Sequence, residues 1–159
     1  MIRGLGVLLL AAVVAGDQLS KSWITGYFAD PARHGAEPLG AIFNLVLVQN
    51  RGVSFGLFNG SSAANAVIFS VLAAAVVTGL LVWLWRTRSA LIATAIGLIA
   101  GGAIGNVIDR LRFGAVTDFL DFHWGEWHFP AFNLADSAIT VGVGLLLIDG
   151  LLRRGESRN

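Results

Sequence analysis

Charge is absent from four long stretches of the chain. Residues 4–16, 52–85, 89–108 and 137–148 contain no Asp, Glu, Lys or Arg. A helix that crosses the hydrocarbon of a bilayer needs about 20 mostly apolar residues. Three spans meet this directly, at about 64–85, 90–109 and 132–152. The first stretch reaches spanning length only as a helix over about 4–28, continuing through Asp17 and Lys21. Those two lie at i,i+4 with the acid first, the favourable order on a helix. A neutralised pair is what a continuous span requires. The rival reading is a signal peptide, with Arg3 as its basic start, 5–14 as its apolar core and Val13-Val14-Ala15 as its cleavage site. Against it, Trp23, Ile24, Tyr27 and Phe28 resume the apolar pattern after Lys21.

Between the spans lie two longer loops, 29–63 and 110–131. Within the first, residues 41–49 read Ala-Ile-Phe-Asn-Leu-Val-Leu-Val-Gln, bounded by Gly40 and Asn50-Arg51-Gly52. This is a strand pattern, and 53–58 is the expected partner. In the third span Gly97, Gly101 and Gly105 form a smooth stripe that lets another helix approach closely.

Composition narrows the class. The chain is 55% hydrophobic and 13% charged, against about 25% charged in a soluble domain. Its mean hydropathy is +0.72. With 159 residues it is expected to form one domain, 1–159. A disordered chain, an ordinary soluble enzyme and a basic-patch nucleic-acid binder are excluded; a net charge of +1 steers no polyanion. The absence of cysteine removes disulfides, thiolate metal sites and a cysteine nucleophile. Lys/Arg placement sets the orientation. With the N-terminus cytoplasmic, Arg3, Arg86, Arg88, Arg153, Arg154 and Arg158 fall inside, and Arg33, Arg51, Arg110 and Arg112 outside. Four spans then leave both termini cytoplasmic. Trp23, Tyr27, Phe28, Trp124 and Trp127 flank the outer ends, and Trp83 and Trp85 an inner end, as an interfacial belt.

Carboxylates in or beside hydrocarbon are costly and each needs a reason. Asp17 with Lys21, and Asp149 with Arg153, read as ion pairs. Asp121 and Glu126, beside Trp124 and Trp127, read as solvent-facing. Asn106, Asp109 and Arg110 share one face at the outer end of the third span; Asn133 and Asp136 share one face of the fourth. Asp109, Asp118 and Asp136 thus converge near the outer interface. Two carboxylates around one water share a proton, which supplies a general base and a general acid. Spacing leaves either Asp109 or Asp118 as the partner of Asp136. Arg110 beside Asp109 would lower its pKa and favours Asp118. The bland alternative is that these acids cap helices and pair with Arg110 and Arg112. A Ser20–Lys21 hydrolase pair is disfavoured because helix neighbours point about 100° apart. A metal site at His123, Glu126 and His128 lacks helical zinc spacing. The second functional class is a proton or ion carrier using Asp17, Asp109 and Asp136. It would need a polar path inward, where 141–147 offers only Gly, Val and Leu.

At these residues the chain resembles a known family. Asp17-Gln18-Leu19-Ser20-Lys21, Asn50-Arg51-Gly52-Val53-Ser54-Phe55-Gly56, Gly105-Asn106-Val107-Ile108-Asp109-Arg110, Val116-Thr117-Asp118-Phe119 and Phe132-Asn133-Leu134-Ala135-Asp136 resemble, in order, the motifs of bacterial lipoprotein signal peptidase (signal peptidase II), an integral-membrane aspartic endopeptidase. The resemblance implies an all-α membrane protein: four transmembrane helices, a small extracytoplasmic β-cradle and a short interfacial helix. It implies Asp118 and Asp136 as the catalytic pair. Asn106, Arg110 and Asn133 would shape the pocket, Asn50 and Gly52 would cradle substrate, and Asp17, Lys21 and Asp109 would give support. The implied substrate is a prolipoprotein carrying a diacylglyceryl-cysteine, cut on the amino side of that cysteine. The implied inhibitor is globomycin. No metal, cofactor or nucleic acid is expected. The implied location is the bacterial inner membrane, with the site at the periplasmic interface. A site at that depth can accept substrate sideways from lipid, and the cradle loop is expected to act as a lid over it.

Overall fold

The computed structural model describes residues 1–33, 35–52 and 62–156, with side chains in the last stretch described for 66–152. Four long helices carry the apolar stretches: α1 (Ile2–Tyr27), α2 (Ser62–Arg86), α3 (Ala90–Phe113) and α4 (Leu134–Glu156). All four are long and apolar enough to span a bilayer. Many of their large side chains face outward, among them Leu8, Leu19, Val71, Leu72, Leu147 and Leu151. In water this would be an aggregating surface; in lipid it is the expected one. The first helix runs unbroken through Ala15 to Tyr27. The third continues to Phe113, beyond the expected end at 109, and the fourth starts at Leu134 instead of 132.

The helix α3 is the central element. It buries twelve residues, among them Ile96, Ala100, Asn106 and Asp109, and it packs against α1, α2 and α4. Its ends are well defined. The Ser89 side chain accepts a hydrogen bond from the Ile92 N–H, and Gly114 closes the last turn at φ 71°, a left-handed conformation that glycine adopts without strain. The glycine stripe faces α1. A Cβ on Gly101 would sit 2.8 Å from the Leu10 carbonyl oxygen, and one on Gly97 would meet the Gly6 carbonyl. Gly102 makes a similar approach to the Ala135 carbonyl of α4, and Gly142 of α4 lies against Ala95 and Ile99.

At one end of the bundle sits a four-stranded antiparallel sheet in the order β1–β2–β3–β4. Its strands are β1 (Glu37–Pro38), β2 (Phe43–Asn50), β3 (Val116–Trp124) and β4 (Trp127–His128). The pairing of β2 with β3 brings Asn44 opposite Asp121 and Val48 opposite Asp118, with a bulge between Leu45 and Val48. Ile24 of α1 packs with Leu45 and Phe119 to fix the sheet on the helices. The expected strand at 41–49 appears as β2. Its expected partner, 53–58, lies outside the described residues. The observed neighbours are β1 and β3, from segments read as plain loop. Most of β3 is buried, so its sequence lacks the alternation of a half-solvated strand. Among the described residues there is no short interfacial helix.

Candidate active site

Two elements deliver the paired acidic side chains to the sheet end of the bundle. The first turn of α4 carries Asp136. Asn133 precedes that helix, and its Oδ1 accepts from the Asp136 N–H at 2.9 Å, while Asp136 Oδ2 accepts from the Asn133 N–H at 3.3 Å. This reciprocal arrangement is a capping box. It locks the Asp136 carboxylate against its own backbone. The strand β3 carries Asp118, which is buried. Its Oδ1 accepts from Asn133 Nδ2 at 2.7 Å and its Oδ2 from Asn50 Nδ2 at 2.9 Å. Asn50 is itself oriented by a local turn, its Oδ1 accepting from the Gly52 N–H at 2.9 Å. Gly52 sits at φ 78°, which suits glycine.

Asn106 of α3 joins the two halves. Its Nδ2 donates to Asp136 Oδ1 at 2.8 Å, and its Oδ1 accepts from Asn133 Nδ2 at 3.2 Å. The two carboxylates are therefore spaced by a pair of asparagines. Burial pushes the Asp118 carboxyl up to about 6; the charge of Asp136 pushes the same way, against the hydrogen bonds from Asn50 and Asn133. Arg110 donates from Nη1 to the Asn106 carbonyl at 3.4 Å, and its guanidinium lies 5.4 Å from the Phe69 ring centre. Its positive charge acts on Asp136, Asp118 and Asp109.

Behind this pair lies a buried ionic cluster. Lys21 Nζ is 2.8 Å from Asp17 Oδ2 and 3.1 Å from Asp109 Oδ2. It also donates to Asn106 Oδ1 at 3.0 Å. Asp17 Oδ1 accepts from the Ala135 N–H at 3.1 Å, and Asp109 Oδ2 from the Thr117 N–H at 2.9 Å. Each supporting carboxylate thus grips the backbone immediately before one of the paired aspartates. Gln18 Nε2 adds a bond to Asp109 Oδ1 at 2.9 Å. The counter-ion of Asp109 is Lys21 from another helix, not the neighbouring Arg110. Sequence spacing could not show this, because the pairing is made by the α1–α3 contact. Gln18 was likewise invisible as a functional residue.

Other sequence expectations resolve differently. Asp121 is not solvent-facing. It is buried, accepts from Asn44 Nδ2 at 2.8 Å and pairs with His128 Nδ1 at 2.9 Å. Burial raises its pKa, but the bonds from Asn44 and His128 outweigh that and hold it below the ordinary carboxylate value. Glu126 is exposed, and among the described residues no three His, Asp or Glu side chains form a metal-holding group. Ser20 donates to the Asp17 carbonyl at 2.9 Å. The proposed Asp149–Arg153 pair involves an arginine side chain outside the described set. Buried charged residues among those described are Asp17, Lys21, Asp109, Asp118 and Asp121. All gather at the sheet end, which gives no support to a relay across the bundle.

Two grooves reach the paired aspartates. One, of about 550 Å³, is mostly apolar and lined by Phe129, Pro130, Ala131, Phe132, Asp136 and Val141, among others. The other, of about 430 Å³, is lined by Val48, Gln49, Asn50, Arg51 and Asp118. Pro130 and Ala131 form the rim common to both.

Four helices able to span a bilayer, with buried carboxylates gathered at one end, fit the class of integral-membrane aspartic endopeptidases, and the family match assigns the chain to it. A family model described as Signal peptidase (SPase) II matches residues 9–152, and the chain belongs to that family. It is 48% identical over 155 residues to a lipoprotein signal peptidase of Burkholderia cenocepacia, covering 97% of this chain and 90% of the relative. It is 50% identical over 151 residues to one of Burkholderia vietnamiensis, covering 94% and 87%. A solved bacterial membrane enzyme, determined by the in meso method at 2.3 Å, aligns with a TM-score of 0.77 at 28% identity, covering 98% of this chain and 92% of that one.

Proposed function

We propose that this chain removes the signal peptide from diacylglyceryl-modified prolipoproteins, cutting on the amino side of the lipidated cysteine, and that Asp118 and Asp136 are its catalytic residues. The observation that carries this reading is the asparagine-spaced carboxylate pair at the junction of an apolar and a more polar groove. A lipidated peptide at the membrane surface needs both environments. Asp118, with its raised pKa, holds the shared proton and donates it to the scissile carbonyl oxygen. Asp136, partly open to its groove, takes a proton from the attacking water. The tetrahedral intermediate collapses as Asp136 passes that proton to the leaving nitrogen and Asp118 recovers its own. Asn106, Asn133 and Asn50 hold the carboxylates at the required separation. Arg110 shapes the pocket, Gly52 belongs to the cradle around the substrate, and Asp17, Lys21 and Asp109 brace the backbone.

The apolar groove suits the acyl chains or the hydrophobic signal helix, entering sideways from lipid. The protein resides in the bacterial inner membrane as a single domain, with both termini cytoplasmic and the site at the periplasmic face. Lys/Arg placement supports that orientation. The chemistry calls for no metal or cofactor, and globomycin would compete for the same cleft.

Purified protein in detergent should cleave a diacylglyceryl precursor peptide to leave cysteine at the new N-terminus, and should spare the unlipidated peptide. Cleavage indifferent to the lipid, or elsewhere in the peptide, would contradict the reading. A tag after Asn159 should resist protease added from outside intact inner-membrane vesicles of native orientation; its removal would invert the topology.

A further inference from the structure

The cluster around Asp121 lies on the sheet, outside the catalytic pair. Asp121 and Asp118 are three residues apart on β3, so their side chains leave opposite faces of the strand. Asp121 therefore has no direct access to the reacting bond. It nevertheless ties three strands together. Asn44 of β2 donates to its Oδ2, and His128 Nδ1 of β4 lies 3.0 and 2.9 Å from its two oxygens. The His128 ring is further oriented by stacking on His123, with centroids 5.3 Å apart and planes at 22°.

The segment that His128 anchors is the wall of the substrate grooves. After β4 the chain runs back along β3. Phe129 N–H donates to the Phe122 carbonyl at 2.8 Å, and Phe132 exchanges two bonds with Leu120, at 3.0 and 2.9 Å. Between His128 and Phe132 there is one more residue than between their partners His123 and Leu120. Pro130 offers no N–H to the ladder, so Pro130–Ala131 bows out as the rim shared by the two grooves. β4 itself has only two paired residues. Backbone pairing alone holds such a short strand weakly, so the side-chain clasp decides where the rim sits.

We infer that Asp121, through His128, is a positioning residue for substrate capture: the clasp sets the rim at Pro130–Ala131 and thereby the fit of the lipidated peptide in the grooves on either side. This inference rests on the proposed peptidase function. Loss of the clasp loosens the groove wall without disturbing the Asp118–Asp136 pair, which is held by Asn106, Asn133 and Asn50. The effect falls on KM more than on kcat.

The test uses full-length protein and the diacylglyceryl precursor peptide. His128→Leu should raise KM about tenfold, equivalent to ~1.4 kcal/mol, and leave kcat within about threefold. His128→Asn retains a donor near the position of Nδ1 and should bring KM most of the way back. Gly6→Ala, whose new Cβ would meet the Ala93 carbonyl at 2.9 Å in the helix packing, should lower the melting temperature and leave KM unchanged. The inference is overturned if His128→Leu leaves KM unchanged, if His128→Asn is no better than His128→Leu, or if Gly6→Ala raises KM equally. If the unmodified protein does not cleave the peptide at all, the functional reading falls together with this inference; cleavage with a clasp-independent KM sinks the inference alone.

Discussion

Lys21→Met removes a buried charge at nearly fixed volume. Lys21 Nζ lies 2.8 and 3.1 Å from two buried carboxylates, and the three side chains are 5% exposed or less. Methionine keeps the packing of the stem and removes the charge. Asp17 and Asp109 are then left without their shared cation, and breaking a buried ion pair in this way costs about 3–5 kcal/mol. Against a total stability of about 5–15 kcal/mol, that is about a fifth or more. The site suffers with the fold, because Asp17 and Asp109 grip the N–H groups of Ala135 and Thr117. The neutral triple variant, Lys21→Met with Asp17→Asn and Asp109→Asn, removes all three charges. Each asparagine Oδ1 can still accept from its backbone N–H, so the triple variant should recover at least half of the loss. Thermal and denaturant unfolding in detergent, followed by tryptophan fluorescence, measure both. A loss below ~1 kcal/mol for Lys21→Met, or a triple variant no more stable than the single, would refute the assignment of Lys21 as the structural counter-ion.

Four further predictions rest on the geometry. With Asp118 as the general acid, kcat/KM should fall as pH rises through about 6; a kcat/KM that climbs through that range would reverse the acid and base roles. The Asn50 bond favours the ionised Asp118, so Asn50→Ala should move that falling limb to higher pH, and an unmoved or lowered limb would detach Asn50 from the dyad. The same proton is linked to stability: because its folded pKa lies above the ordinary 3.8, the contribution of Asp118 is full below 3.8 and is lost as pH rises through about 6. Asp118→Asn should flatten that part of the melting-temperature profile, and an unchanged profile would contradict the raised pKa. Gly105→Ala would put a Cβ 2.5 Å from Asp17 Oδ2, an oxygen already held by Lys21. It should destabilise by about 1–3 kcal/mol, whereas Gly144→Ala, with open space around it, should be near neutral; equal melting temperatures would refute the close approach.

The helices were legible because a bilayer imposes a length and an apolarity that a sequence cannot disguise. The glycine stripe on α3 was legible for a related reason, since only small residues allow the approach of Gly101 to Leu10. Charge partnership across helices was not. Asp109 reads as belonging to Arg110 until α1 is packed beside α3 and Lys21 arrives between the acids. β3 was hidden by burial on both faces, and with it the role of Asp121, whose partners are 77 and 7 residues away. The alternative that the acids cap helices holds for Asp136: Asn133-Leu134-Ala135-Asp136 has the spacing of a capping box, which fixes both the start of α4 and the pose of Asp136.

The central claim is that Asp118 and Asp136 together perform hydrolysis. Its most direct measurement is the single-turnover cleavage rate of the lipidated precursor by Asp118→Asn and Asp136→Asn, each first shown to be folded by its unfolding transition. The account predicts that either substitution lowers the rate by about 10²–10⁴-fold or more, the scale of general acid–base catalysis. A folded variant that kept a tenth or more of the unmodified rate would contradict it.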